Sequence, residues 1–159
     1  MVFKIHQSIY DRLKSQHLAI KEIIQPLKED RLTLSPAPGK WNIHDNIAHL
    51  AKYQPVFLER LYNILLYDGM SFDRYLADDD PGFETWRSWK TSQLLDKLYV
   101  DREMIFQFVV NLDDHQLSHI GIHKKFGKLA IPAWTEFFLL HEAHHIFTIF
   151  KIANDTELY

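Results

Sequence analysis

The chain has 159 residues, of which 47% are hydrophobic and 25% are charged, and its formal net charge is −3. This size and composition predict one folded domain over residues 1–159, and the slightly acidic balance argues against a nucleic-acid-binding protein, which usually carries a basic face. The chain contains no cysteine, which excludes disulfide bonds, thiolate metal ligands and a cysteine nucleophile. Any metal ion must therefore be held by His, Asp or Glu.

No segment of the sequence predicts a signal peptide or a membrane span. The N-terminus turns polar within its first six residues and lacks the apolar stretch of a signal peptide. The apolar run at residues 134–140 contains Glu136 and leads directly into three histidines, so it is a poor candidate for a transmembrane helix. We therefore expect a cytoplasmic protein without a membrane partner.

Helical periodicity dominates the first half of the chain. Apolar residues recur at helical spacing over residues 5–24, and Pro26 ends this first predicted helix. A second helix is predicted over residues 43–67, where Asn42 is a good N-cap and Asp45 completes a capping box. Pro55 lies inside this helix, where a proline can bend it.

The second half adds two more helices. An acidic, irregular stretch covers residues 68–87, and apolar spacing predicts a third helix over residues 91–111. A loop with several His and Gly follows, and Pro132 then marks the first turn of a fourth helix that reaches about residue 153. No strand-rich pattern is visible. We predict an all-α fold, a four-helix bundle with long crossover connections.

The fourth helix carries the most informative motif, H-E-A-H-H at residues 141–145. His141 and His145 are four residues apart, so they lie on one helical face and can close on a single metal ion. They continue an apolar stripe, in which bare imidazoles need partners. His144 lies on a neighbouring stripe and is the weaker ligand candidate.

A metal site requires a third ligand, for which His49 on the second helix is the best candidate. One His from one helix and a pair four residues apart on another can converge inside a bundle. Three neutral imidazoles would leave coordination positions open, as in a catalytic site, and they suit zinc or nickel.

Two further strings resemble known sequences. P-A-P-G-K-W-N-I at residues 36–43 leads to A-H-L around His49, and H-K-K-F-G-K-L occupies residues 123–129. Together with the terminal H-x-x-x-H helix, they resemble the DinB-like (DinB/YfiT) family from residue 5 to residue 153. One departure is Thr148, where many relatives carry Gln.

The resemblance implies a four-helix bundle with an unusual connection order that commonly forms a homodimer. It implies the metal triad His49, His141 and His145. Relatives include metal-dependent hydrolases and transferases of low-molecular-weight thiols. It thus predicts a divalent-metal enzyme acting on a small molecule, with a nucleophilic water or thiolate held by the metal. Two alternatives remain: a non-catalytic binding or stress-response bundle, and a triad that merely ties two helices together.

The letters H-E-x-x-H also match the zinc-protease motif, but this interpretation is disfavoured. Neither the metzincin Gly nor its next His follows the motif, and no strand pattern predicts a cleft for an extended peptide. Glu142 is then either a surface residue or a carboxylate that orients a ligand or water.

Three other residues are candidates for the surroundings of the site. Tyr53, one turn beyond His49, either lines the pocket or packs in the core with its hydroxyl at the rim. His123 either lines the pocket or is an ordinary loop residue. Thr148 lies one turn after His145, at the position where relatives differ.

Overall fold

A computed structural model describes residues 5–158, and the ends of the predicted domain, residues 1–4 and 159, lie outside this range. The helices are α1 (Gln7–Ser15), α2 (Ala19–Ile24), α3 (Glu29–Leu32), α4 (Ile43–Leu66), α5 (Phe83–Arg87), α6 (Thr91–Val110), α7 (Asp114–Leu117) and α8 (Ile131–Ala153). The strands are β1 (Met70–Phe72), β2 (Ile120–His123) and β3 (Gly127–Ala130). Single 3₁₀ turns occupy Gln16–Leu18, Ala77–Asp79 and Thr156–Leu158.

Four long helical segments form the bundle: α1 with α2, then α4, α6 and α8. One half of the core joins the starts of α4 and α6 to the end of α8, and the other half joins their ends to the start of α8. Helices α4 and α6 therefore run parallel, with α8 antiparallel to both. Because α4 and α6 are parallel, residues 67–90 must cross back along the bundle between them. The predicted four-helix bundle with long crossover connections is confirmed.

Local sequence explains where the two helices of the site begin. The backbone N–H of Asp45 donates to Asn42 Oδ1 at 2.8 Å, and the Asn42 N–H donates to Asp45 Oδ2 at 3.2 Å, which completes the predicted capping box. Pro132 lies in the first turn of α8, where its missing N–H costs nothing. Both helices end within one residue of the prediction.

The first predicted helix differs from the prediction in one respect. A 3₁₀ turn at Gln16–Leu18 separates α1 from α2, although both parts bury the predicted apolar residues, such as Leu13 and Ile20. None of the helices within residues 5–158 is long and apolar enough to cross a membrane.

A small sheet lies where the sequence predicted only loops. Strand β2 pairs in parallel with β1 and antiparallel with β3. Gly127 begins β3 with φ +73°, a left-handed conformation that glycine adopts without strain. Gly121 is needed for packing, because a Cβ there would lie 2.7 Å from Nε1 of Trp134. Strands of three and four residues are too short for visible alternation, so these segments were not predicted.

Candidate metal centre

The three predicted ligands meet between α4 and α8. His49 lies about two turns into α4, and His141 and His145 lie one turn apart on α8. One nitrogen of each ring lies within 4.8 Å of the corresponding nitrogens of the other two. Since α4 and α8 are antiparallel neighbours, residues 92 positions apart in sequence come into contact here.

The geometry of the cluster fits a metal ion. Nε2 of His49 and Nε2 of His141 are 3.1 Å apart. Two nitrogens that share a tetrahedral zinc ion are separated by about 3.3 Å, because each lies about 2.0–2.1 Å from the metal. The donor set is three imidazoles, which suits a nitrogen-binding divalent ion.

Burial keeps all three rings neutral. Desolvation, followed by the charges of the other two histidines, lowers the pKa of His49 to about 2. Desolvation and then His141 and His144 lower the pKa of His145 to about 3. The pKa of His141 falls to about 4, through burial first and then the charges of His144 and Arg60. Neutral imidazole is the form that binds a metal, so the cluster is ready for an ion at neutral pH.

The hydrogen bonds of the three rings are incomplete. Nδ1 of His145 lies 2.8 Å from Oδ1 of Asn46, one helical turn before His49. This contact orients the ring and leaves its Nε2 free for a ligand. Nδ1 of His49 and Nδ1 of His141 are buried and have no hydrogen-bond partner among residues 5–158. Unpartnered buried nitrogens destabilise a protein, so a stabilising role alone does not account for this cluster.

Aromatic rings enclose the cluster. Trp41, just before the start of α4, packs against His49 and His145, with ring centroids 5.2 and 6.1 Å apart. Tyr53 packs against His141 at 4.7 Å. These rings form apolar walls beside the histidines, and apolar surroundings strengthen electrostatic interactions.

Two cavities reach the cluster, one at His141 and the other at His145. A cavity of about 820 Å³ reaches His141 and is lined by Tyr53, Tyr75, His123 and several basic residues. A smaller cavity of about 400 Å³ reaches His145 and is lined by Trp41, Asn46, His144 and Thr148 among others. The larger volume accommodates a small organic molecule beside His141.

The predicted residues Tyr53, His123 and Thr148 line the two cavities rather than belonging to the three-histidine cluster. Tyr53 and His123 are both buried and both line the larger cavity, and His123 is the last residue of β2 rather than a loop residue. Burial, and then the charges of Arg60 and Lys125, lower the pKa of His123. Thr148 lines the smaller cavity, and its hydroxyl donates to the carbonyl oxygen of His144 at 3.0 Å rather than to a ligand ring.

Glu142 requires a correction. It is not a surface residue: its exposed fraction is 0%. Its carboxylate forms an ion pair with Arg102 and accepts a hydrogen bond from Nε2 of Gln16 at 3.0 Å. These contacts connect Glu142 to α6 and to the 3₁₀ turn after α1 rather than to a ligand ring. The residue that a zinc protease uses as its base is here part of a buried ion pair.

Sequence reasoning missed Asn46 and the basic residues of the larger cavity. Asn46 precedes His49 by three residues and therefore lies on the same helical face, a spacing that could have indicated it. Arg60, Arg74, Lys124 and Lys125 come from three separate segments, and no local pattern brings them together.

Known proteins resemble this chain in sequence and in fold. The family model of the DinB superfamily matches residues 13–149. Among solved structures, YfiT from Bacillus subtilis, described as a probable metal-dependent hydrolase with an unusual four-helix bundle topology, matches with a TM-score of 0.74. The match covers 95% of this chain and 91% of YfiT at 16% identity, which is a likeness of fold alone. No curated protein matches the sequence.

Proposed function

The chain belongs to the DinB superfamily, and from the convergence of His49, His141 and His145 we propose that it is a divalent-metal-dependent hydrolase of a small molecule. The observation that carries the proposal is the position of three neutral ring nitrogens within 4.8 Å of one another at the end of an open cavity. YfiT, whose fold the chain shares, is described as a probable metal-dependent hydrolase, which supports the same reaction class.

The three histidines would hold the ion, and the residues around them would prepare the site. A divalent ion supplies Lewis acidity and a nucleophile at neutral pH. Asn46 fixes the ring of His145 through its Nδ1, which favours Nε2 as the ligand atom. Tyr53 and Trp41 form aromatic walls beside the cluster, and the larger cavity admits the substrate beside His141.

The donor set narrows the choice of metal. Calcium and magnesium prefer oxygen ligands, whereas imidazole suits zinc and nickel. We propose zinc or nickel as the resident ion, held by three side chains with positions left for substrate. An open coordination position is the property that separates catalytic from structural zinc sites.

A thiol-dependent S-transferase is the second candidate, and the size of the larger cavity favours it. A volume of about 820 Å³ exceeds what an attacking water needs and has room for a low-molecular-weight thiol beside the second substrate. Because the chain contains no cysteine, the sulfur would have to come from that cosubstrate. Turnover that requires added thiol would favour transfer, and turnover in buffer alone would favour hydrolysis.

Elemental analysis of purified wild type and three single variants, His49→Ala, His141→Ala and His145→Ala, tests the proposal. Wild type should carry about one zinc or nickel ion per chain, and each variant should lose it. His144→Ala is the matched control, because His144 is an exposed neighbour of His145 on the same helix. Ester, amide and phosphoester hydrolysis is then screened with and without thiol.

The outcomes separate the alternatives. A wild type that binds no divalent ion would remove the proposal altogether. Stoichiometric metal without turnover of any substrate class would favour a non-catalytic binding bundle instead.

We also propose that the chain forms a homodimer through the outer face of α8. Three large apolar side chains on this face, Leu140, Phe147 and Phe150, are 49–60% exposed. A contiguous exposed apolar face of this kind marks an interaction surface. Phe147→Glu should convert a dimer into a monomer in light scattering, whereas Val100→Glu, at an exposed apolar residue of α6, should not.

A further inference from the structure

The larger cavity carries an unusual concentration of positive charge. Its lining includes Arg60, Arg74, Lys124 and Lys125, and none of its lining residues within 5–158 is acidic. The whole chain has a formal net charge of −3, so this local excess is not a property of the surface in general. Lys124 is neutralised in part by the exposed Asp73, at 3.1 Å. The other three have no carboxylate partner among the described residues.

Arg60 makes more contacts than the other three cations. Its Nη1 donates to the hydroxyl of Tyr53 at 3.2 Å, and its Nη2 donates to the carbonyl oxygen of Asp73 at 2.7 Å. Its guanidinium lies 5.8–5.9 Å from the ring centres of Tyr53, Phe72 and Trp134. Neutral contacts thus hold a half-buried cation in place without cancelling its charge. An oxyanion in the cavity would be its natural partner, since arginine binds carboxylate and phosphate with paired donors.

His123 adds a neutral donor on the same wall. Its Nδ1 accepts hydrogen bonds from the backbone N–H groups of Lys125 and Phe126, at 3.0 and 3.1 Å. The neutral ring must then carry its proton on Nε2, which is left as a donor. An acceptor-rich ligand suits a wall that presents guanidinium, ammonium and imidazole N–H groups together.

The rest of the lining is apolar. Phe126, Phe137 and Leu140 form a wall of the same cavity, and His141 of the histidine cluster closes it. A molecule that fits this cavity would place a charged group on the basic side, an apolar group on the aromatic side, and a reactive bond near His141.

We propose that the cavity binds small organic anions, whose carboxylate or phosphate is held by Arg60, Arg74 and Lys125 and whose apolar part packs on Phe126 and Phe137. This inference rests on the proposed function, and it names the substrate class as anionic amphiphiles. The neutral analogues of such substrates should bind poorly.

Titration of the wild-type protein with matched probes tests the proposal. Phenylacetate and phenyl phosphate represent the two oxyanions, phenylacetamide is the neutral counterpart, and inorganic phosphate represents the charged group alone. Calorimetry is run on zinc-loaded and on chelator-treated protein, because a bound metal itself attracts anions. We expect at least one oxyanion to bind about tenfold more tightly than phenylacetamide in both forms. Equal affinity for charged and neutral probes would overturn the proposal.

Substitutions that each remove one positive charge test where the anion binds. Arg60→Gln should weaken oxyanion binding about tenfold, and Arg74→Gln and Lys125→Gln each about threefold, with no change for phenylacetamide. Lys128→Gln is the matched control, because Lys128 lies on the same hairpin as Lys125 but outside the cavity lining. Arg74 has an exposed side chain, so its variant stays informative if Arg60→Gln misfolds. Equal losses in Lys125→Gln and Lys128→Gln would overturn the assignment.

The experiments distinguish a failure of this proposal from a failure of the proposed function. If no metal binds but chelator-treated protein still prefers oxyanions through Arg60, the anion site stands and the metal enzyme falls. If stoichiometric metal binds at the histidines but oxyanions show no preference, only the substrate class is wrong.

Discussion

Two buried polar clusters lie back to back on α8, one built on Glu142 and the other on His141 and His145. Adjacent helical residues point about 100° apart, so His141 faces α4 while Glu142 faces α1 and α6. Both clusters are enclosed by the same bundle. They differ in how completely their polar atoms are paired.

The Glu142 cluster is nearly complete. Arg102, with an exposed fraction of 1%, forms an ion pair with Glu142, and its Nε donates to Oε1 of Gln54 at 3.1 Å. Its Nη1 lies 3.3 Å from Nδ1 of His17, and Gln16 donates to the second oxygen of Glu142. This network joins α4, α6 and α8 to the 3₁₀ turn after α1. Movement of any of these elements would leave a buried polar group without its partner.

The histidine cluster lacks such partners. The Nδ1 atoms of His49 and His141 are unpaired within the described residues, and the two Nε2 atoms face each other at 3.1 Å. A cavity reaches this cluster, whereas the described cavities touch the other cluster only at Gln16. Polar groups are thus paired on one face of α8, whereas the other face leaves two buried ring nitrogens unpaired. Unpaired buried nitrogens call for an explanation, and a bound metal, as proposed above, would supply one.

Removing Glu142 should have the largest effect on stability. Glu142→Leu leaves Arg102 buried without its carboxylate, which should lower the free energy of unfolding by about 3–5 kcal/mol. Urea denaturation followed by circular dichroism measures the change. Glu136→Leu is the matched control, since Glu136 also lies on α8 and pairs with an arginine, Arg12 of α1, but at a partly exposed site where the cost is about 0–1 kcal/mol.

A double variant distinguishes the loss of this ion pair from a general failure to fold. Arg102→Met combined with Glu142→Leu replaces the whole pair by apolar groups and should recover most of the lost stability. A single Glu142 variant as stable as the Glu136 variant would show that the two clusters do not differ as argued.

Metal should stabilise the protein only through the histidine cluster. At a free zinc concentration about one hundred times Kd, the folded state gains about 2.7 kcal/mol. Thermal unfolding of wild type should shift upward with zinc, whereas His49→Ala should show no shift, and His144→Ala should behave as wild type. Metal-free wild type should still be folded, because the Glu142 network does not depend on the metal. An unfolded metal-free protein would instead indicate a closed, structural metal site.

Replacing Asn46 should affect metal binding more than folding. Asn46→Ala removes the acceptor of His145 Nδ1 and should weaken zinc binding about 10- to 100-fold. Asn46→Asp keeps an acceptor oxygen at the same position and should retain most of the affinity. Competition with a chromophoric chelator measures both. Equal losses in the two variants would show that the contact does not orient the ring.

The long helices and most of the three-histidine cluster could be predicted because their signals are local. The Asn42–Asp45 capping box, Pro132 and the apolar spacing each depend on residues within one or two turns. His141 and His145 share a face by spacing alone, and the choice of His49 rested on the bundle and on the family resemblance. The short strands gave no such signal, because β1 pairs with β2 about fifty residues later in the chain.

The burial of Glu142 could have been predicted from its position on the helix. It shares a stripe with Thr135, Leu139 and Ile149, all buried, and this spacing indicates a carboxylate in the core. Its partner Arg102 lies 40 residues away on another helix, so the ion pair itself could not be predicted. The basic cavity could not be predicted for the same reason, because Arg60 and Lys125 come together only after the crossover and the hairpin have folded.

The smallest expected effect concerns the pH dependence of the metal-free protein. Folding lowers the pKa of His49 from 6.5 to about 2, so below pH 6.5 the unfolded chain binds a proton that the folded protein does not. Stability therefore decreases as the pH falls below 6.5, by up to about 1.4 kcal/mol per pH unit for each such histidine. His49→Ala should reduce this slope by one such contribution between pH 6 and pH 5, measured by urea denaturation.

His17, in the Glu142 cluster, provides the matched variant for this test. Burial and the charge of Arg102 lower its pKa to about 3, so His17→Ala should reduce the slope by the same amount as His49→Ala. Zinc should separate the two variants, because only His17→Ala keeps the three ligands and hence the zinc-dependent stabilisation. A slope unchanged by His49→Ala would show that His49 is charged in the folded state, which would contradict a cluster of neutral rings held ready for a metal ion.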